Sequence, residues 1–63
     1  MEQYTVKELR ARKNWTQSKT AEMLGISTQT YSSWEADFGK VKIRAAIAVA
    51  KLFGVRLDQI KVN

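Results

Sequence analysis

The chain has 63 residues with no Cys, His or Pro, and its 11 Lys and Arg against 6 Asp and Glu give a formal charge of +5. Such a length makes one domain (1–63) with a small core, and without Cys or His there are no disulfides, no thiolate metal sites and little acid–base chemistry, so no cofactor or metal is expected and an enzyme is disfavoured. No apolar run approaches the roughly 20 residues that span a bilayer and MEQYTVKELR lacks a signal-peptide core, so a cytoplasmic protein is the default and its charge favours polyanionic partners.

Residues 1–4 show no periodic pattern and read as a flexible arm, as do residues 61–63 at the other end. Thr5 then opens a helix that ends near Asn14, with Glu8 completing a capping-box pattern and Val6 and Leu9 forming an apolar stripe. Arg10, Arg12 and Lys13 place positive charge at its C-terminal end, where the macrodipole favours it. Thr16 and Ser27 stand where N-caps are wanted, and Gly25 where a left-handed residue closes a helix. Together they predict two short helices, Gln17 to Leu24 and Thr28 to about Ala36, joined by a tight turn.

The first of these is too short to hold itself together, so Ala21 and Leu24 must pack inward, as must Tyr31 and Trp34 on the second. The other face of the second helix is Thr28, Gln29, Ser32 and Ser33. Ser and Thr are mediocre helix formers, so their use on a solvent face points to a demand other than stability.

Asp37 to Val41 reads as a loop broken at Gly39. Ile43, Ala46, Ile47, Ala50 and Phe53 recur at three and four, which predicts a helix from about Lys42 to Phe53 as the main element of the core. Gly54 stops it, and Val55 to Ile60 reads as a turn into a last short helix with Leu57 and Ile60 folded back. The fold class is all-α, one domain of about five helices.

Thr16-Gln17, Ala21, Leu24-Gly25-Ile26-Ser27, Thr30, Ser32 and Trp34-Glu35 resemble the core motif of the phage-repressor (XRE or Cro-like) helix-turn-helix family. The likeness continues through Ala50-Lys51-Leu52-Phe53-Gly54-Val55 and Leu57-Asp58, and back to Lys7-Glu8-Leu9-Arg10, so it covers Val6 to Ile60. It implies a compact five-helix bundle of the lambda-repressor-like type whose third helix lies in the major groove of double-stranded DNA. By position, Thr28, Gln29, Ser32 and Ser33 become base-contacting residues; a Gln amide suits adenine, and the hydroxyls suit base edges. Gln17, Lys13, Lys19, Lys40, Lys42 and Arg44 become candidate phosphate contacts. Gln17 and Gln29 also fit a solvated helix start, Arg44 an ordinary surface residue, and Trp15 an apolar cover.

The resemblance further implies that Arg10 and Glu35 form an internal ion pair, which removes Arg10 from the DNA contacts. Departures from the pattern are Thr20 in place of Leu, Tyr31 in place of Ile or Val, and Lys19 where an acid closes a capping box. Asp37, Val41 and Arg56 replace a usual Gly, Pro and Ser or Thr. A sequence-specific, non-enzymatic DNA-binding transcriptional regulator, with repression as its expected mode, is the reading that results; a homodimer, in solution or only on DNA, would use Phe38, Val41, Ile60 and Val62, apolar residues that fit the rim of the core equally well. The alternative is an antitoxin-like or accessory module whose main partner is another protein.

Overall fold

A computed structural model describes residues 2–62, and three of its four helices start on a hydroxyl. Thr5 caps α1 (Val6–Arg12): its Oγ1 accepts from the Glu8 amide at 3.1 Å while the Glu8 carboxylate accepts from the Thr5 amide at 2.8 Å. Two donors without helical partners are thereby satisfied. Thr16 caps α2 (Gln17–Leu24) and Ser27 caps α3 (Thr28–Ala36), accepting at 3.0 Å from the Lys19 and Thr30 amides. α4 (Ile43–Phe53) has Lys42 at its N-cap and no side-chain cap bond, so it depends on its packing.

Left-handed residues set the corners. Gly25 (φ 73°) ends α2, and its amide donates to the Ala21 and Glu22 carbonyls. Asn14 (φ 59°) turns the chain between α1 and α2; Asn tolerates this region better than most side chains.

α2 packs against α3 and α4, and α1 packs against α3. Val6, Leu9, Ala21, Tyr31, Phe38, Ala46, Val49, Ala50, Phe53 and Ile60 form the buried core, with Trp15, Leu24, Ile26 and Trp34 packed on its rim. Thr20 is fully buried in place of a larger aliphatic, and its hydroxyl donates to the Thr16 carbonyl at 2.9 Å, so nothing polar is left unpaired there.

Three expectations are corrected. The fifth helix is only a 3₁₀ turn, Leu57–Gln59, so the described residues hold four α-helices, with a second 3₁₀ turn at Phe38–Lys40 inside the expected loop. Near the ends, the Tyr4 amide donates to the Gln59 carbonyl at 2.8 Å and the Lys61 amide to the Tyr4 carbonyl at 2.7 Å, forming an isolated parallel bridge between Tyr4 and Ile60. Met1 and Asn63 lie outside the described residues.

The second correction concerns α4, where Ile43 and Ile47 were expected in the core but are 62% and 41% exposed. Its inward face is Ala46, Val49, Ala50 and Phe53, shifted by part of a turn, with the two isoleucines left at the edge. Last, Phe38 and Ile60 are buried and cannot face a second copy, leaving Val41 half-buried and Val62 exposed.

An added Cβ at Gly25 meets nothing within 4 Å, so the conformation alone opposes substitution there. Gly25→Ala should therefore lower stability by about 1 kcal/mol in denaturant unfolding, and Gly25→Asn by less, because Asn adopts this region more readily. Equal losses for the two would point to a packing cause.

Candidate nucleic-acid interface

The junction of α1, α2 and α3 is built on one carboxylate. Arg10 Nε donates to Glu35 Oε2 at 2.6 Å, and Arg10 Nη2 reaches Glu35 Oε1 at 3.4 Å. Arg10 Nη1 donates to the Trp15 carbonyl at 2.9 Å, and Gln17 Nε2 donates to Glu35 Oε1 at 2.9 Å. One guanidinium thus binds both the end of α3 and the link that leads into α2. The side chains are 17% exposed for Arg10 and 7% for Glu35, so this pair is far less screened than a surface salt bridge.

Tyr31 lies fully buried beside the pair. Its hydroxyl is close enough to Glu35 for each to shift the other's titration, yet it makes no formed hydrogen bond. Burial first, and then Glu35, raise the Tyr31 pKa. For Glu35, burial pushes the pKa up, but Arg10, with Tyr31 and Gln17, outweighs it and holds the carboxyl below its ordinary value.

Turning Glu35 inward has a consequence for the exposed arc of α3. At about 100° per residue, Thr28, Ser32, Gln29 and Ser33 fall on an outer arc of roughly 140°, and all four are exposed. Glu35 is the only charged residue of the helix, so this arc is neutral and made of hydrogen-bonding groups. The Ser33 hydroxyl donates to the Thr30 carbonyl at 2.6 Å, which leaves its oxygen as an acceptor toward solvent.

The basic candidates are distributed more widely. Lys13, Lys19, Lys40, Lys42 and Arg44 are all exposed. Lys19 lies in the first turn of α2. Lys40 ends the 3₁₀ turn after α3 and pairs loosely with Asp37 at 3.8 Å, while Lys42 precedes α4 and Arg44 lies within it. Lys13 sits 5.8 Å from the Trp15 ring, and Trp15 itself packs on Phe53 with centroids 5.9 Å apart, as an apolar cover would. Gln17 is half-buried and held from inside, an arrangement sequence reasoning missed because residues 18 apart carry no local signal of contact.

The family model for helix-turn-helix proteins matches residues 6–60. The chain belongs to the XRE-type helix-turn-helix family. Among curated relatives, this helix-turn-helix chain is 36% identical over 53 residues to the HTH-type transcriptional regulator AnsR of Bacillus subtilis (strain 168). That match takes in 84% of this chain but 46% of the relative, so the chain spans about half the relative's length. No solved structure matches it. No helix among the described residues is long and apolar enough to cross a membrane.

Because the folded Glu35 pKa lies below the unfolded one, its stabilising contribution is fully present above the ordinary glutamate range and is lost as pH falls through the folded value. Glu8, held down by the Thr5 amide, acts in the same direction. Glu35→Gln should cost about 3 kcal/mol near neutral pH by leaving Arg10 buried without its counter-charge. Its stability should also fall less steeply with acid than the parent's. Denaturant melts across the acid range measure both, and identical pH profiles would remove Glu35 from the cause.

Proposed function

We propose that this protein is a sequence-specific, non-enzymatic DNA-binding transcriptional regulator, a repressor that inserts α3 into the major groove of an operator. The observation that carries the reading is the exposed, neutral, hydrogen-bonding arc of α3, backed by a buried ion pair, in a chain of the helix-turn-helix family. The printed name of the relative, a transcriptional regulator, supports the same class.

On this reading Gln29 pairs with adenine N6 and N7, and Thr28, Ser32 and Ser33 contact neighbouring base edges. Gln17, Lys13, Lys19, Lys40, Lys42 and Arg44 meet phosphates and release counterions. One helix of nine residues reads few bases, so the protein acts as a symmetric dimer on a palindrome, assembled in solution or on the DNA. The exposure of Ile43 and Ile47 favours a second reading, an antitoxin-like or accessory module that uses the same fold to bind a protein.

Selection from a randomised duplex library at two salt concentrations separates the two. The first reading predicts a palindromic motif that persists at the higher salt, whereas salt-sensitive binding without a motif leaves only electrostatic attraction. Against a recovered site, Gln29→Ala should cost about 1–3 kcal/mol and relax preference at one base pair. Lys42→Ala should weaken all sequences alike and reduce the salt slope by about one.

A further inference from the structure

The side-chain amide of Gln17 makes one hydrogen bond among the described residues, and it runs inward, from Nε2 to Glu35 Oε1 at 2.9 Å. An amide can turn either end to a neighbour, but a carboxylate only accepts. Presenting the Gln17 oxygen would set two acceptors against each other. The chemistry therefore fixes Nε2 toward Glu35, with one of its N–H groups engaged there and the other without an acceptor among the described residues. Gln29 offers the contrast: it is exposed and has no side-chain hydrogen bond among the described residues.

Charge completes the arrangement. A bare carboxylate one hydrogen bond behind Gln17 would repel a phosphate, but Arg10 Nε lies 2.6 Å from Glu35 Oε2 and offsets it. The amide is thus anchored on an oxygen whose charge is already balanced. We infer that Glu35 is a positioning residue for Gln17, holding its amide so that the second N–H is ready for a DNA phosphate before the duplex arrives. The inference rests on the reading of Gln17 as a phosphate contact given above. Its benefit is entropic, since a side chain already immobilised loses less on binding, an effect of about threefold to tenfold in affinity for one such side chain.

Two measurements test it. In the free protein, side-chain ¹⁵N relaxation should give Gln17 Nε2 an order parameter close to the rigid backbone's, about 0.85, and Gln29 one below about 0.6. Glu35→Asp keeps a charge for Arg10, whose long side chain can follow, but withdraws the oxygen from Gln17, and should make Gln17 as mobile as Gln29. A parent Gln17 already as mobile as Gln29 overturns the positioning role, whatever happens with DNA, and decides the matter even if Glu35→Asp does not fold.

The second measurement is binding to a short mixed-sequence duplex over a salt series, with the folded fraction established by circular dichroism. Gln17→Ala and Glu35→Asp should each weaken binding by about threefold to tenfold, and the double variant should bind no more weakly than Gln17→Ala alone. Independent, multiplying losses overturn the proposal. A rigid Gln17 whose removal leaves affinity unchanged overturns it through the phosphate reading, while leaving the Glu35 bond itself in place.

Discussion

Everything in this domain is referred to one partly buried ion pair, Arg10 with Glu35. Taking two charges from water is costly, and well-packed apolar residues of similar volume often stabilise as much. What the pair supplies is direction. Apolar burial is indifferent to angle, whereas Arg10 bonds the Glu35 carboxylate and the Trp15 carbonyl, and Glu35 also receives Gln17. α1, the entry to α2, and the end of α3 are thereby fixed to one another through a few atoms. In a 63-residue chain with a small core, such bonds define an interhelical geometry that α2, only eight residues long, could not impose by packing alone.

The same pair shapes the exposed surface of α3. α3 contains one charged residue, and that residue is turned inward and neutralised, so the outer arc carries hydrogen-bonding groups without a field that would oppose a polyanion. Ser and Thr there lower intrinsic helix stability, and the loss is offset by the Ser27 cap and by Tyr31, wholly buried on the opposite side. Scaffold and candidate interface are therefore two faces of one short helix, linked further by Gln17, which touches the scaffold with the side chain proposed to meet phosphate.

What was legible in the sequence was what local chemistry decides. Thr5 with Glu8, Thr16, Ser27, Gly25 and Gly54 mark helix ends within a few residues of where they act, and the helices lie where those marks put them. Periodicity in α4 was less decisive, because Ile43 and Ile47 fit a three-and-four pattern as well as the true inward set does; only the packed neighbours choose between adjoining stripes, and they chose Val49. Long-range pairings were illegible for the same reason. Tyr4 with Gln59, and Gln17 with Glu35, depend on how the chain folds back and leave no mark in spacing. Arg10 with Glu35 was visible only through a family likeness. Tyr31 shows a further limit: its burial was readable, but nothing local in the sequence shows that its hydroxyl forms no hydrogen bond among the described residues.

Charge also bears on how two copies would meet. Between Asp37 and Asp58 the sequence has no acid, while Lys40, Lys42, Arg44, Lys51 and Arg56 all lie in that stretch. A two-fold contact repeats each side's residues on the other. An interface through the exposed edge of α4 would therefore bury Ile43 and Ile47 at the cost of drawing Arg44 and Lys51 toward their own copies, with no carboxylate in the helix to offset them. Two exposed isoleucines supply little apolar area against that repulsion; of the other apolar candidates, Phe38 and Ile60 are committed to the core, Val41 is half-buried, and Val62 adds one exposed side chain. Phosphates running past the same basic residues would remove the opposing term. On the proposed reading, a pair of copies sharing one duplex would therefore keep its protein–protein contact small and turn these basic residues toward phosphate.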